Sequence, residues 1–281
     1  MTKREDPRFA AIRALDYLPQ HYALLMEKAE DRSLRQLFLR VNRWQRLFAP
    51  FNLEPVFHNV GAWLRIYHHL PPLAHTRPRS DTRADYVSGV GMLTDYLSGY
   101  VANPARLRAL RDRLAAVAEV ILPERLALVL GHGDFAPRNV LVDSRQRVTV
   151  FDTQSKWQVP LFEDISRFLH SVKVSGPQMS SYGLLYSSAV LQRYEAAFLR
   201  GYFATAEIPL AAIRLFECQH ILSMWTSINH HYQLSRGSRR IVKGCRLAVW
   251  GSYLLSTLQK YLGELETASR QAPAMGHVCG R

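Results

Sequence analysis

Residues 131–142 read GHGDFAPRNVLV, and the fold of the chain is decided in this stretch. The five residues before it, LALVL at 126–130, form a short continuous apolar run of the kind that makes a buried strand. Two β-rich runs, 140–142 and 148–151, stand on either side of a polar turn, which is the pattern of a hairpin. Asp152 follows the second run directly. The sequence therefore predicts a buried strand, a loop, and a hairpin that ends at an acidic residue.

The loop at residues 131–139, which we call the HGD loop, contains Asp134 and Asn139 with four residues between them. Phosphoryl transfer needs a carboxylate near the proton of the acceptor and hard oxygen ligands for Mg²⁺. Protein kinases supply these groups with an aspartate, four residues, an asparagine, a hairpin and a second aspartate. Because a tight hairpin brings its two ends together, we expect Asn139 and Asp152 to lie close enough to share a metal ion. Asp134 is expected to stand apart from them, near the acceptor.

The segment 132–141 resembles the HGDxxPxNVL catalytic loop of the aminoglycoside phosphotransferases and the related choline kinase-like small-molecule kinases. Gly133 favours this group over eukaryotic protein kinases, which have arginine at that place. The resemblance implies an α+β, protein-kinase-like fold, made mainly of the helical C-lobe with a catalytic β-hairpin and a remnant of the N-lobe sheet. It also implies an enzyme, a phosphotransferase that uses ATP (or GTP) and Mg²⁺.

The same resemblance implies a role for each residue of the site. Asp134 corresponds to the catalytic base, and Asn139 and Asp152 correspond to the Mg²⁺ ligands. His132 and Asp164 are expected to brace the HGD loop, His132 by hydrogen bonds to the loop backbone rather than by acid-base chemistry.

Upstream, residues 22–29 (YALLMEKA) look like the last N-lobe strand and the hinge of such a kinase. The resemblance implies that backbone groups of Glu27 and Ala29 bind the adenine edge and that Leu141 packs beneath the ring. About 20 residues precede this strand. The chain is therefore expected to lack most of the N-lobe, including the lysine that grips the nucleotide phosphates.

Two functions follow from these residues. The first is an ATP- and Mg²⁺-dependent phosphotransferase that acts on a hydroxyl of a small molecule. The alternative is an N-terminally truncated, inactive kinase-like binding or scaffold protein. The sequence specifies neither the acceptor nor the oligomeric state, because the same fold serves many substrates.

We expect three segments: an N-lobe remnant with the hinge at 1–32, a helical C-lobe with the HGD loop at 33–266, and a flexible tail at 267–281. Asn103 and Pro104 give the clearest helix start, an N-cap followed by proline at the first helical position. Further helices are predicted from Ser33 to about residue 47, at 56–70, and near 182–203, 207–229 and 240–266.

The bulk composition excludes several classes of protein. The net charge is +13, but there is no basic tail and no basic run with interleaved aromatics, so no nucleic-acid partner is expected. No apolar run of membrane-spanning length occurs, and residues 1–13 lack the apolar core of a signal peptide. Three widely spaced cysteines (Cys218, Cys245, Cys279) indicate free thiols and a cytoplasmic protein.

A polar and aromatic group with helical spacing occurs near residue 230. Its members are Trp225, His230, His231 and Tyr232. Two interpretations stay open at this stage: the group lines an acceptor pocket, or it is the end of a helix with partly buried aromatic side chains.

Overall fold

A computed structural model describes residues 6–28, 32–40 and 52–271 of the chain. Its strands are β1 (Ala14–Leu18), β2 (Ala23–Met26), β3 (Arg32–Ser33), β4 (Arg77–Pro78), β5 (Leu128–Leu130), β6 (Val140–Val142), β7 (Val148–Val150) and β8 (Trp157–Pro160). Its helices are α1 (Leu34–Arg40), α2 (Glu54–His68), α3 (Arg83–Ser98), α4 (Pro104–Ile121), α5 (Phe162–Lys173), α6 (Gly176–Ser180), α7 (Ser188–Phe203), α8 (Leu210–Gln233) and α9 (Ser238–Gln271).

The chain divides into two compact units. The first unit comprises Met1–Arg77, Val129–Gln158 and Leu185–Ile208. The second comprises Pro78–Leu128, Val159–Leu184 and Pro209–Arg281. Strands β4, β8 and β5 form a three-stranded sheet in that order.

In the first unit, the predicted hairpin forms the centre of an antiparallel sheet with the strand order β3-β6-β7. Ser33 of β3 pairs with Leu141, and Val140 pairs with Val150 across the hairpin. On the other edge, the N–H of Ala10 donates to the carbonyl of Val148 at 3.0 Å. The hairpin is therefore held on one edge by β3, which follows β2, and on the other by Ala10, which precedes β1.

Strands β1 and β2 form a separate two-stranded antiparallel sheet. The turn between them contains a short 3₁₀ segment at Pro19–His21 and closes at Tyr22, which has a φ of 49°. Leu15, Leu24 and Met26 are each about half exposed. This hairpin thus contributes little to the apolar core.

The predicted N-cap at Ser33 is confirmed. The N–H of Gln36 donates to Oγ of Ser33 at 3.3 Å, and Oε1 of Gln36 accepts from the N–H of Ser33 at 3.0 Å, which is a capping box. Residues 41–47 of the helix predicted there lie outside the described residues.

Two glycines allow α2 and α7 of the first unit to cross with their backbones in contact. A Cβ on Gly61 would lie 2.1 Å from the carbonyl oxygen of Phe198, and one on Gly201 would lie 2.0 Å from that of His58. A hydrogen atom is therefore the only side chain that fits at either position. The aromatic rings of Phe57 and Tyr194 stack at 4.7 Å in the same interface.

The second unit is helical, and its core is made by apolar faces of α3, α4, α8 and α9. The predicted start of α4 is confirmed, because Oδ1 of Asn103 accepts from the N–H of Arg106 at 3.2 Å. Helix α8 ends at Gln233 and α9 begins at Ser238. Helix α9 continues to Gln271, five residues into the segment expected to be a flexible tail.

No helix in the described parts of the chain is both long and apolar enough to cross a membrane.

A buried cluster of charges links three helices of the second unit. The carboxylate of Glu217 is fully buried and contacts Nζ of Lys173 at 2.5 Å and the guanidinium of Arg214. Both cations also lie over the ring of Tyr261, at 5.5 Å and 4.8 Å from its centre. Such a cluster is stable only while the charges compensate one another.

Two histidines of the second unit are held in the neutral form. The ring of His170 is buried, and neither of its nitrogens has a hydrogen-bond partner among the described residues. Burial lowers its pKa well below the usual value, and His220, Lys173 and Arg167 lower it further. Burial likewise lowers the pKa of His220 to about 3, with Arg167 adding to the effect. In the unfolded chain both rings would take up a proton near pH 6.5, so this unit loses stability as the pH falls below that value.

Candidate active site

The HGD loop connects β5 to the hairpin and ends in a 3₁₀ turn at Pro137–Asn139. Gly133 has a φ of +86°, which residues with a side chain rarely adopt. A Cβ at this position would lie 3.1–3.2 Å from the side chain of Gln154. The N–H of Gln154 donates to the carbonyl of His132 at 3.0 Å, so the segment after the hairpin holds the loop from one side. Glycine is therefore required by both backbone conformation and space.

Asp134 is held by two neighbours in the loop. The guanidinium of Arg138 contacts both carboxylate oxygens at 2.5 Å, and Nδ2 of Asn139 donates to Oδ2 at 2.9 Å. The same amide donates to the backbone carbonyl of Asp134 at 2.8 Å. The sequence led us to expect that Asp134 stands apart from Asn139. The structure instead brings the two side chains into contact, because the 3₁₀ turn folds the asparagine back onto the aspartate. The sequence reasoning also missed Arg138, although an aspartate and an arginine four residues apart are a common ion pair.

His132 is fully buried beneath the loop. Its Nδ1 accepts from the N–H of Asp134 at 3.4 Å, an arrangement that places the ring proton on Nε2. Its ring lies 5.3 Å from that of Phe135, 6.0 Å from Tyr67 and 6.2 Å from Trp63. The ring therefore sits in an aromatic environment that fixes its orientation.

Helix α2 positions the start of the HGD loop. The hydroxyl of Tyr67 donates to the carbonyl of Gly131 at 3.3 Å and lies 2.8 Å from Oγ of Ser155. The ring of Trp63, one turn earlier, stacks parallel to Phe135 at 6.1 Å. Sequence reasoning assigned neither α2 residue to the site. Their four-residue spacing was the available signal, but that spacing is typical of any buried helix face.

The two predicted metal ligands lie at the two ends of the hairpin. The N–H of Phe151 donates to the carbonyl of Asn139 at 3.2 Å, which brings the residue before Asp152 against Asn139. Asn139 is buried and Asp152 is exposed. Asp152 has a φ of 61°, a conformation that costs energy in a residue with a Cβ and that often marks a functional position.

The turn of the hairpin is closed by Asp143. Its carboxylate accepts from the N–H groups of Arg145 and Arg147 at 2.8 Å each, and from Nε of Arg147 at 2.6 Å. Burial alone would raise the pKa of this carboxyl, but these hydrogen bonds hold it below the usual value. The turn is thereby stabilised independently of the HGD loop.

The residues predicted to bind the nucleotide are placed as follows. Glu27 is exposed at the end of β2, and its N–H donates to the carbonyl of Arg13 at 3.0 Å. Ala29 lies outside the described residues. Leu141 is partly exposed between the buried Val140 and Val142, so it points away from the core of the sheet.

Asp164 occupies the first turn of α5 in the second unit and is buried. Burial raises the pKa of the neighbouring Glu163, an effect that Arg79 and Arg167 oppose. The bracing role assigned to Asp164 stays a prediction.

Among the described residues, no three side chains of the types His, Cys, Asp and Glu form a metal-binding group. The two predicted ligands, Asn139 and Asp152, would supply an amide oxygen and a carboxylate. Such oxygen ligands suit Mg²⁺, which commonly binds through one or two carboxylates together with phosphate oxygens and water.

A family model described as phosphotransferase enzyme family (APH) matches residues 5–207. Among curated proteins, no sequence matches the chain.

Three solved structures illustrate the likeness in fold. A choline/ethanolamine kinase family protein from Mesorhizobium loti has 13% identity and a TM-score of 0.57, over 92% of this chain and 78% of that one. A glucosamine kinase with glucosamine, ADP and inorganic phosphate has 15% identity and a TM-score of 0.60, over 89% and 66%. A thermostable mutant of an aminoglycoside phosphotransferase has 14% identity and a TM-score of 0.51, over 96% and 80%. The chain thus spans about two thirds of the length of the glucosamine kinase.

At these identities the likeness shows the fold, which is α+β and kinase-like, as the sequence predicts. In the described residues its amino-terminal sheet is reduced to β1 and β2. The match to the family model covers well over half of the sequence. The chain belongs to the phosphotransferase enzyme family.

Proposed function

We propose that this chain transfers the γ-phosphate of ATP, bound as its Mg²⁺ complex, to a hydroxyl group of a small molecule. The observation that carries the proposal is the arrangement of the HGD loop and the hairpin. It presents the carboxylate of Asp134 beside Asn139 and returns the chain to Asp152 at the same end of the hairpin. The glucosamine kinase of similar fold, with its ADP and phosphate, supports a nucleotide in this type of site.

In the proposed reaction, the acceptor oxygen attacks the γ-phosphorus and the bond from that phosphorus to the β-phosphate oxygen breaks. Asp134 takes the proton of the hydroxyl, and the products are a phosphate ester and ADP. Arg138 contacts both oxygens of Asp134, and Asn139 contacts Oδ2 as well. Because each carboxylate oxygen has two lone pairs, Oδ1 keeps one on which the proton of the acceptor can be taken up.

Asn139 and Asp152 are the residues that would hold the metal ion. The amide nitrogen of Asn139 is already engaged with Asp134, so its carbonyl oxygen is the atom that would face the cation. Asp152 offers an exposed carboxylate. When bound, Mg²⁺ would neutralise charge on the phosphates. Leu141 and the carbonyl of Glu27 are proposed to contact the adenine, with Ala29 completing the hinge.

The alternative is an N-terminally truncated, inactive kinase-like binding or scaffold protein. The ion pair between Arg138 and Asp134, the residue proposed as the base, is compatible with it. Binding and turnover therefore have to be measured separately.

A thermal-shift experiment tests nucleotide binding. ATP with Mg²⁺ at about 100 times its Kd adds about 2.7 kcal/mol to the stability, which raises Tm by about 5 °C. Asp152→Gly is the sharpest variant, because glycine adopts the φ of 61° without strain while the whole side chain, carboxylate included, is removed. It is expected to fold normally and to lose the shift.

Gln146→Gly is the matched control. Gln146 has the same φ of 61° in the same hairpin and should keep the full shift. Release of ADP, with and without candidate alcohols, then distinguishes the two functions. The kinase is supported if the wild type releases ADP and Asp134→Asn abolishes this release while keeping the Mg²⁺-ATP-dependent rise in Tm. The inactive binding protein is supported if Tm rises but no acceptor leads to ADP release. A wild-type chain that shows no Mg²⁺-ATP-dependent shift would refute the kinase and would leave the scaffold.

A cytoplasmic location is part of the proposal. Cys218 and Cys245 are free thiols, as a reducing compartment requires, and Cys279 lies outside the described residues.

A further inference from the structure

Helix α9 turns one side of its first half toward the second unit. On this inner side, Gly244 lies against Tyr232 and Gly251 lies against Trp225, where a Cβ would come within 3.3 Å and 3.2 Å of the two rings. Both rings also line a cavity of about 540 Å³, whereas the two histidines of the polar and aromatic group near residue 230 are exposed. The inner side of the helix is therefore packed.

The outer side of the same half of α9 carries apolar residues. Ile241, Val242, Cys245 and Val249 are exposed, and their spacings of one, three and four residues place them on one side of the helix. Ile241 is 72% exposed and Val242 is 55% exposed. An apolar stripe of this kind normally faces a core, but no described segment covers this one. We call these four residues the α9 face.

The segment after α6 extends the α9 face. The hydroxyl of Tyr182 lies 3.2 Å from Oγ of Ser252, which is three residues after Val249. Tyr182 is 52% exposed, and Leu184 is 66% exposed. Single exposed apolar side chains are common on proteins, but a set gathered on one surface marks a place of interaction.

Arginines border the α9 face on both sides. A helix turns by about 100° per residue, so Arg240, before Ile241, lies on one side of the face and Arg246 lies on the other. The guanidinium of Arg240 lies over the ring of Tyr232 at 5.3 Å, and that of Arg246 lies over the ring of Trp250 at 5.9 Å. Both arginines are exposed, and no described acidic side chain pairs with either of them.

The sequence around the α9 face contains no negative charge. Residues 218–263 contain no Asp or Glu, and neither do residues 165–194, which include Tyr182 and Leu184. The basic residues of the first stretch are Arg236, Arg239, Arg240, Lys243, Arg246 and Lys260. An apolar face with positive charge around it is complementary to a surface that is both anionic and apolar.

The geometry separates a lipid surface from two other occupants. A second copy of the chain bound through the same face would bring the arginines of both copies together, and juxtaposed like charges oppose that contact. An amphipathic helical peptide binds in a groove, whereas the α9 face is the outer, convex side of a helix. A convex helix side lies readily in the interface of a lipid bilayer.

We propose that the α9 face docks the chain onto a membrane surface that contains anionic lipid. The aliphatic side chains enter the boundary between headgroups and acyl chains, and the arginines contact the lipid phosphates. The cytoplasmic leaflets of cell membranes carry anionic lipids, which suits the proposed location. Docking needs neither nucleotide nor metal.

Sedimentation of the full chain with lipid vesicles tests the docking. Vesicles made of equal parts of phosphatidylcholine and phosphatidylserine should bind the wild type at least about tenfold more tightly than vesicles of phosphatidylcholine alone. Val242→Ser leaves the charge unchanged and should weaken this binding about fivefold, because the apolar side chain no longer enters the bilayer. Val120→Ser is the matched control on α4, where the valine is 48% exposed, and should bind as the wild type does.

A second pair of variants separates the α9 face from the net charge of the chain. Arg246→Gln and Arg108→Gln remove the same charge, the first beside the face and the second at an exposed position of α4. Only Arg246→Gln should weaken binding, by about fivefold, since the attraction falls off within a Debye length. Equal effects of the two variants would show that the net charge alone attracts the chain, and would overturn the proposal.

The thiol of Cys245 reports where the vesicle binds. In Cys279→Ser the remaining thiols are the exposed Cys245 and the buried Cys218. Anionic vesicles should slow the alkylation of Cys245 by a water-soluble maleimide at least about tenfold, because the thiol lies within the docked face. An unchanged rate in the vesicle-bound chain would overturn the proposal.

Three further outcomes would also overturn it. The first is a wild type that does not bind anionic vesicles, and the second is Val242→Ser binding as tightly as the wild type, which would leave a charged polymer such as nucleic acid as the partner. The third is a wild type that light scattering shows to be a dimer without lipid and that Val242→Ser makes monomeric. Circular dichroism confirms that each variant is folded. Failure of the phosphotransfer assay would leave these outcomes unaffected.

Discussion

Replacement of Gly133 by alanine tests the conformation of the HGD loop and its support by Gln154. At a φ of +86°, a residue with a Cβ pays about 1–2 kcal/mol for the backbone conformation alone. The new methyl would also meet the Gln154 side chain at 3.1–3.2 Å, which adds about 1 kcal/mol of overpacking. We therefore expect Gly133→Ala to lower the free energy of unfolding by about 2–3 kcal/mol.

A double-mutant cycle separates these two contributions. Gln154→Ala alone changes an exposed side chain and should cost less than about 0.5 kcal/mol. In the double variant the Oε1 and Cδ contacts are gone but the Cβ of residue 154 stays at 3.2 Å, so the loss should fall to about 1.5–2.5 kcal/mol. The coupling energy between the two positions is then about 0.5–1 kcal/mol.

Urea unfolding followed by circular dichroism gives the four free energies. The reasoning fails if Gly133→Ala lies within 0.5 kcal/mol of wild type, about the size of an ordinary surface change, because the loop would then not be held at a positive φ. A coupling energy near zero would instead show that Gln154 does not support the loop in solution.

Three further predictions concern the two units. Glu217→Gln should destabilise the chain by about 3 kcal/mol or more in urea unfolding, because it leaves two buried cations without the carboxylate that both contact. His170→Leu should reduce the loss of stability below pH 6.5 by up to about 1.4 kcal/mol per pH unit, since the variant has one proton fewer to take up on unfolding. Gly61→Ala should lower Tm by several degrees, because the methyl meets a backbone carbonyl that cannot move aside.

Each of these has its own control. Glu217→Gln should be equally destabilising in 0.5 M salt, since a buried pair is screened little, and a salt-dependent effect would contradict burial of the cluster. For the histidine, the urea midpoint is measured at pH 7.5 and at pH 5 in the wild type and in His170→Leu. If the midpoint falls by the same amount in both proteins, the ring is already protonated in the folded wild type. Gly91→Ala in α3, with nothing within 4 Å of the new methyl, should be neutral or slightly stabilising, by up to about 1 kcal/mol.

Much of the fold and of the site could be predicted because their signals are local. Ser33 and Asn103 cap helices where the sequence places them, since a cap depends on residues within one turn. The hairpin between Asn139 and Asp152 follows from two β-rich runs and a polar turn.

The interactions that sequence reasoning missed depend on contacts between distant residues. Tyr67 lies 64 residues from the Gly131 carbonyl that it binds, and no pattern within α2 distinguishes it from a core residue. The engagement of Asp134 by Asn139 was missed for a different reason. Spacing gives the order of the groups along the chain, but the 3₁₀ turn decides which way the amide points.

The HGD loop with its hairpin was determined by the sequence itself, because glycine, proline and the alternation of apolar residues restrict the backbone over a few residues. Only the tertiary structure decided what surrounds these groups. It placed the hydroxyl of Tyr67 on the carbonyl of Gly131, buried His132 among aromatic rings, and opened a cavity lined in part by Trp225. Burial and proximity depend on how segments far apart in the chain pack together, and local sequence does not encode that packing.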